Sequence, residues 1–111
     1  MNINEYQKSA VSTAIYEGAG NNLIYPTLGL AGEAAEIANK IKKPIRKQGY
    51  KAIFTEEQKR ELAKEVGDVL WYVAVLCNEL GYTMEEVAQM NINKLLDRQK
   101  RGVIEGDGDN R

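Results

Sequence analysis

The sequence predicts an all-α fold. Three observations predict it: apolar residues recur at helical rather than strand spacing, Thr-x-x-Gln and Thr-x-x-Glu pairs stand directly before two such stretches, and β-branched alternation is scarce. The chain has 111 residues, enough for one domain and one core, expected to span 1–111 with an irregular tail over 102–111. A first helix is expected from about Asn4 to Tyr16. Gly and Asn dominate residues 17–22, which read as a loop. A second helix is expected over about Pro26 to Lys43, with Pro44 ending or kinking it and the basic run that follows serving as a surface connection. Thr55 with Gln58 forms a capping box that opens a third helix, and Gly81 closes it after Leu80. Thr83 with Glu86 opens a fourth, reaching about Arg101.

The third helix is apolar over much of its circumference. Leu62, Val66, Val69, Val73 and Leu76 lie on one face, and Leu70, Ala74 and Cys77 make a second stripe beside it. A chain of this size has little material to surround such a helix. The expected architecture is a four-helix bundle-like protomer completed by oligomerisation, as a homodimer or homotetramer.

Composition removes several function classes. Fifteen Lys and Arg against sixteen Asp and Glu leave a net charge of −1, so neither nucleic acid nor an anionic membrane is an expected partner. No apolar run has transmembrane length, and the N-terminus has no signal-peptide pattern. The single cysteine, Cys77, reads as a small core residue. A soluble, cytoplasmic protein is expected. With no histidine, H-E-x-x-H zinc hydrolases, His-activated nucleophiles and Glu-x-x-His di-iron bundles are excluded.

The chemistry-bearing feature is a pair of acidic pairs. Glu33 and Glu36 form E-x-x-E, and Glu65 and Asp68 form E-x-x-D. At i, i+3 spacing each pair projects from one helix face, its members about 60° apart. Both lie in apolar surroundings, LGLAGEAAEIA and KEVGDVLWYVAVLC. Four carboxylates at close range repel unless cations sit among them, and an all-oxygen ligand set favours Mg²⁺, with Mn²⁺ as substitute, over zinc or copper. Lys40, four residues after Glu36, and Lys64, four before Asp68, are placed for local ion pairs. A solvated acidic face is the plainer alternative. Asn91, Lys94 and Arg98 share one stripe of the fourth helix, where a Lys and a forked Arg suit a polyphosphate, or simply face solvent.

LGLAGEAAEIA, then ELAKEVGDVLWYVAVLCNELG, then NINKLLDR resemble the MazG-like all-α nucleoside triphosphate pyrophosphohydrolases, in a small, phage-type, single-domain form. The resemblance covers about Leu28 to Arg98. It implies Glu33, Glu36, Glu65 and Asp68 as Mg²⁺ ligands, and Asn91, Lys94 and Arg98 as contacts to substrate phosphates or sugar. The implied reaction takes a nucleoside triphosphate, ribo or deoxy, to monophosphate and pyrophosphate, a house-cleaning activity on the nucleotide pool. Many relatives carry an acidic residue where Gly32 stands here, and the Tyr-Pro-x-Gly-Phe element found in others is replaced by QKRGVIEG. The general base is then one of the motif carboxylates, with Glu36 the choice, or the metal-bound hydroxide needs no separate base. Trp71 and Tyr72, three and four residues after Asp68, are candidates to contact the base and sugar, and a core or interface role is the alternative for Trp71. The tail, with Asp107 and Asp109, lacks the spacing of a calcium loop. It reads as a mobile end, or as a segment bringing Arg111 to a neighbouring subunit's phosphate site. A different functional class also fits: a non-catalytic helical dimer that binds metal or nucleotide in a regulatory role.

Overall fold

The computed structural model describes residues 1–110; the expectation for Arg111 lies outside the described residues. Four α-helices run through them, with no strand: α1 (Ile3–Ser12), α2 (Ile24–Gln48), α3 (Glu56–Leu80) and α4 (Met84–Arg101). The all-α expectation holds.

The ends of α1 differ from expectation. It starts one residue earlier because Asn2 caps it: Asn2 Oδ1 accepts from the Glu5 amide at 2.8 Å, and the Glu5 carboxylate accepts from the Asn2 amide. It stops at Ser12, before Tyr16, because residues 13–22 are drawn to α3 instead. Glu79 accepts from the Tyr16 hydroxyl, from the Gly20 amide at 2.8 Å and from the Asn22 amide at 3.0 Å. Asn22, one residue before the N-cap Leu23, then satisfies the first turn of α2, its Oδ1 accepting from the amides of Ile24 and Tyr25, each at 3.0 Å.

Pro44 does not end α2. The helix continues to Gln48 and closes at Gly49, which has φ 87° and donates its amide to the Ile45 carbonyl at 2.7 Å. A proline inside a helix forfeits one backbone bond and costs about 3 kcal/mol. Packing on α3 offsets that cost. Lys40 reaches Glu65 at 2.7 Å, and Lys43 and Pro44 share a cleft with Gln58 and Leu62 of α3. The expected surface connection over 42–48 is thus helical.

The boundaries of α3 and α4 match the sequence reading. Thr55 and Gln58, and Thr83 and Glu86, complete their capping boxes. Gly81 and Gly102 take the left-handed conformation, at φ 84° and 72°.

α3 is the hub. It packs on α1, α2 and α4, whereas α2 touches neither α1 nor α4. The core lies at one end, where Ala10 of α1, Ala74 and Cys77 of α3 and Met84 of α4 meet, flanked by Tyr6, Trp71, Val73 and Val87. Burial pushes the Cys77 thiol up, consistent with an inert core residue. Gln7, 7% exposed, joins three elements there. Its Nε2 donates to the carbonyls of Ala74 at 3.2 Å and Tyr82 at 3.0 Å, and its Oε1 accepts from the Met84 amide at 2.9 Å.

The protomer is spread out. Its radius of gyration is 17.0 Å with extents of 44 × 43 × 28 Å, against about 13 Å expected of a compact domain of this length. Val66 and Leu70, which the periodicity of α3 assigns to covered stripes, are 53% and 41% exposed, and Leu28 of α2 is 67% exposed.

Gln7→Ala removes the partner of the Tyr82 carbonyl and the Met84 amide and should cost about 1–3 kcal/mol in a urea titration. Glu79 makes the opposite kind of test, on pH. Its carboxyl is held below the usual range by the Tyr16 hydroxyl and then by backbone amides. A lowered folded value contributes stability above the ordinary carboxylate range, lost as pH falls through the lowered value. Stability measured from pH 7 down to pH 3 should therefore fall less steeply in Glu79→Gln than in the parent, starting from a lower value at pH 7.

Candidate metal centre

α2 and α3 lie antiparallel, and one close approach fixes how far each has slid along the other. The ring of Tyr72 lies against the α2 backbone at Gly29, where a Cβ would sit 2.1 Å from Tyr72 Cε1. Only glycine admits that approach. One helical turn along from Gly29 is Glu33; one turn back from Tyr72 is Asp68, and Glu65 lies beyond it. Carboxylate oxygens of Glu33, Glu65 and Asp68 all lie within 4.8 Å of one another. Glu33 and Glu65 are half-buried and Asp68 is exposed.

The electrostatics are those of crowded anions. The Glu33 carboxyl is pushed up, first by desolvation and then by the negative charges of Asp68, Glu65 and Glu36. Lys40 supplies partial relief, its ammonium pushed up chiefly by the hydrogen bond to Glu65. The local pairs expected along each helix do not form as such. Lys40 crosses to Glu65 instead of turning back to Glu36, and Lys64 pairs with Glu61 at 3.0 Å rather than with Asp68. Lys40 crosses because Glu65 offers a half-buried carboxylate, where a charge pair is less screened than on the open face of Glu36.

Glu36 stands outside the three-carboxylate group. It is exposed, one turn farther along α2. Three oxygens within 4.8 Å approach the spacing of about 4.2 Å that opposite ligands take around an ion with bonds near 2.1 Å. The donor set is hard oxygen with one repelled, half-buried member, so these residues fit a divalent cation such as Mg²⁺ or Mn²⁺.

Aromatic groups wall the centre. Tyr72 meets Trp71 edge-on with centroids 4.9 Å apart, and Tyr25, 6.4 Å from Tyr72, stacks on Tyr16 at 4.8 Å. Burial, a hydrogen bond with Tyr25 and the charges of Glu33 and Asp68 push the Tyr72 hydroxyl up. Tyr6 of α1 also feels Asp68, after desolvation. Trp71 donates its indole N–H to Thr13 Oγ1 at 2.8 Å and packs against the core, so its position is anchored. Tyr6, Tyr25, Gly29 and Lys40 were not singled out as site residues by sequence. Two of them carried a signal: Lys40 by its spacing from Glu36, and Gly29 as a glycine inside an otherwise strong helical pattern four residues before the first carboxylate. A cleft of about 500 Å³ adjoins the centre through Lys40, floored by Pro44, Phe54 and Leu62.

The cationic stripe lies elsewhere on the protomer. α4 does not pack on α2. Asn91 is exposed, Lys94 half-buried and Arg98 buried, and the last two are engaged by the C-terminal tail through Asp109. The tail is folded onto its own helix. Asp97 pairs with Arg101 at 2.8 Å.

The family model described as MazG nucleotide pyrophosphohydrolase domain matches residues 25–103. The Gene 37 protein of Mycobacterium phage L5 is 49% identical over 116 residues, covering 100% of both chains. Uncharacterized protein YvdC of Bacillus subtilis (strain 168) is 33% identical over 76 residues, covering 62% of this chain and 68% of that protein. No solved structure matches the chain. No helix among the described residues is long and apolar enough to cross a membrane.

A cation that binds only the folded chain raises its melting temperature, by the equivalent of about 2.7 kcal/mol at a hundredfold excess over its dissociation constant. Mg²⁺ titrated into the metal-free protein should raise Tm in this way. The rise should disappear in Asp68→Asn and shrink in Glu33→Gln. An unchanged Tm across millimolar Mg²⁺ and Mn²⁺ would remove the metal centre.

Proposed function

The chain belongs to the MazG nucleotide pyrophosphohydrolase domain family, and on that premise we propose that it hydrolyses nucleoside triphosphates to monophosphate and pyrophosphate with Mg²⁺. The observation that carries this reading is the convergence of Glu33, Glu65 and Asp68 from two antiparallel helices. Phosphoryl chemistry asks for charge neutralisation and positioning more than for covalent groups, and the chain has no histidine to offer. A divalent cation, when bound, supplies Lewis acidity and a more acidic water.

The chain's own groups supply the rest. Glu36 is exposed beside the three ligands and unpaired with Lys40, which leaves its carboxylate available to take a proton from the attacking water or to complete the ligand set. Tyr72, pinned by Gly29 and Tyr25, borders the carboxylates and can meet the sugar. The Trp71 edge and the neighbouring ring of Tyr72 offer an apolar surface to a base. Asn91, Lys94 and Arg98 hold the β and γ phosphates. They reach the carboxylates only if α4 closes toward them or a second copy contributes its own, and the open outline of the protomer with Leu28, Val66 and Leu70 uncovered supports a homodimer or homotetramer. In this reading the whole chain is one cytoplasmic domain that clears nucleotides from the pool.

Gly32 favours a second reading. It lies on the exposed side of α2 with nothing within 4 Å of a Cβ placed there. No packing demand explains the lack of a side chain where an acidic group would add a base. A metal- or nucleotide-binding regulator that does not turn over is consistent with that.

A panel of ribo- and deoxynucleoside triphosphates with Mg²⁺, its products resolved as monophosphate plus pyrophosphate or diphosphate plus phosphate, decides between them. Pyrophosphate should appear, and Glu36→Ala should lower its rate by about 10²–10⁴-fold while leaving the Mg²⁺ effect on Tm in place. Nucleotide binding without turnover would establish the regulator. Gly32→Glu should then restore hydrolysis without loss of stability, since the position is open and glycine is a poor helix former.

A further inference from the structure

The chain carries its own occupant for the cationic stripe of α4. After Gly102 the backbone turns sharply: the Val103 amide donates to the Arg98 carbonyl at 2.9 Å, and the Gly106 amide to the Val103 carbonyl at 3.1 Å. Gly108, at φ 78°, completes the return. Asp109 is thereby set against α4. One of its carboxylate oxygens, Oδ1, accepts from Lys94 Nζ at 3.1 Å and from Arg98 Nη2 at 3.2 Å. Arg98 Nη2 also donates to the Asp109 carbonyl at 2.8 Å and, more weakly, to that of Gly108 at 3.4 Å. An oxygen bridging an ammonium and a guanidinium has the chemistry of a phosphoryl oxygen.

The fit is incomplete in one respect. The Arg98 side chain is only 5% exposed, and its Nε is buried without a hydrogen-bond partner. Buried donors are nearly always paired, so this one calls for an explanation. Nε and Nη2 form the side of the guanidinium fork that grips two oxygens of one anion. Asp109 gives its oxygens to Nη2 and none to Nε. A tetrahedral phosphate, with more oxygens around one centre, can satisfy both while still reaching Lys94.

We propose that the tail is a built-in competitor, with Asp109 seated in the polyphosphate position of Lys94 and Arg98 and displaced when a nucleotide's phosphates arrive. The proposal rests on the reading of those two residues as phosphate contacts. The tether is short, so the local concentration of Asp109 is on the order of millimolar. A single exposed carboxylate bound with modest strength sets a threshold rather than a block, because a polyphosphate brings more charge and more oxygens. The Asp109 carboxyl is itself held down by Lys94 and then Arg98, so the competitor is ionised at neutral pH.

Inorganic pyrophosphate, titrated calorimetrically into the full chain in metal-free buffer, tests this without reading catalysis. Asp109→Asn should bind pyrophosphate about fivefold more tightly than the parent, the gain expected from removing an exposed charged competitor. Asp107→Asn removes the same charge two residues away and should leave the affinity unchanged. The advantage of Asp109→Asn should shrink at 0.5 M salt, where exposed ion pairs are screened. Asp109→Ser repeats the test if the asparagine variant folds poorly. Equal or weaker pyrophosphate binding by Asp109→Asn, an equal gain in Asp107→Asn, or no binding by either chain would overturn the proposal. The outcomes separate from those of the hydrolysis panel: tighter binding in an inactive protein keeps the competitor and sinks the catalytic reading. Turnover with no change in pyrophosphate affinity does the reverse.

Discussion

The contact between the Tyr72 ring and the α2 backbone at Gly29 is the constraint on which the rest of the site depends. α3 is the one helix on which α2 packs, so the height and rotation of α2 are set along that single seam. A ring lying where a Cβ would otherwise be leaves little freedom to slide or turn. Because side chains repeat with the helical turn, fixing this level fixes the next one, at which Glu33 faces Asp68 and Glu65. A displacement of one residue along α2 would rotate Glu33 by about 100° and disperse the cluster.

The cluster is a cost to the fold that its surroundings only partly offset. Lys40 neutralises one carboxylate of three, and the Glu33 carboxyl stays pushed up by its neighbours. Polar groups are fully used elsewhere, where Gln7 satisfies groups from α1's partners and Glu79 gathers the connection before α2. A site whose groups repel before binding is one in which a cation's arrival relieves strain as well as forming bonds.

Local signals in the sequence translated into structure where the physics is local. Thr55 with Gln58, Thr83 with Glu86, and the glycines after α3 and α4 mark ends that need only neighbouring backbone to form. The spacing of Glu65 and Asp68 put them on one face of α3, and the E-x-x-E motif brought Glu33 to the same place. The failures are tertiary. Pro44 reads as a stop, yet a helix packed along α3 runs through it. Tyr16 fits the pattern of α1, but a carboxylate 63 positions away takes its hydroxyl. Lys40 is spaced for Glu36 and pairs across the helix interface. Gln7 looks like any polar residue on a surface helix, and nothing nearby in the chain announces the carbonyls it serves. Arg98 reads as a phosphate contact or a solvent-facing residue, and its pairing with Asp109 carries no signal because the aspartate follows in an irregular tail with no periodicity to interpret.

The dependence of α2 on a single neighbour has a consequence for how the molecule opens. Native proteins unfold locally in cooperative units whose stability follows the contacts holding each one. α1, α3 and α4 share the core of Ala10, Ala74, Cys77 and Met84, and α2 contributes no residue to it. α2 is therefore the helix that can part from the rest by the loss of one interface, its long seam with α3, and an opening along that seam leaves the other three helices assembled. Glu33 departs with it while Glu65 and Asp68 remain. The candidate centre straddles that seam, so whatever bridges those carboxylates also holds the seam closed.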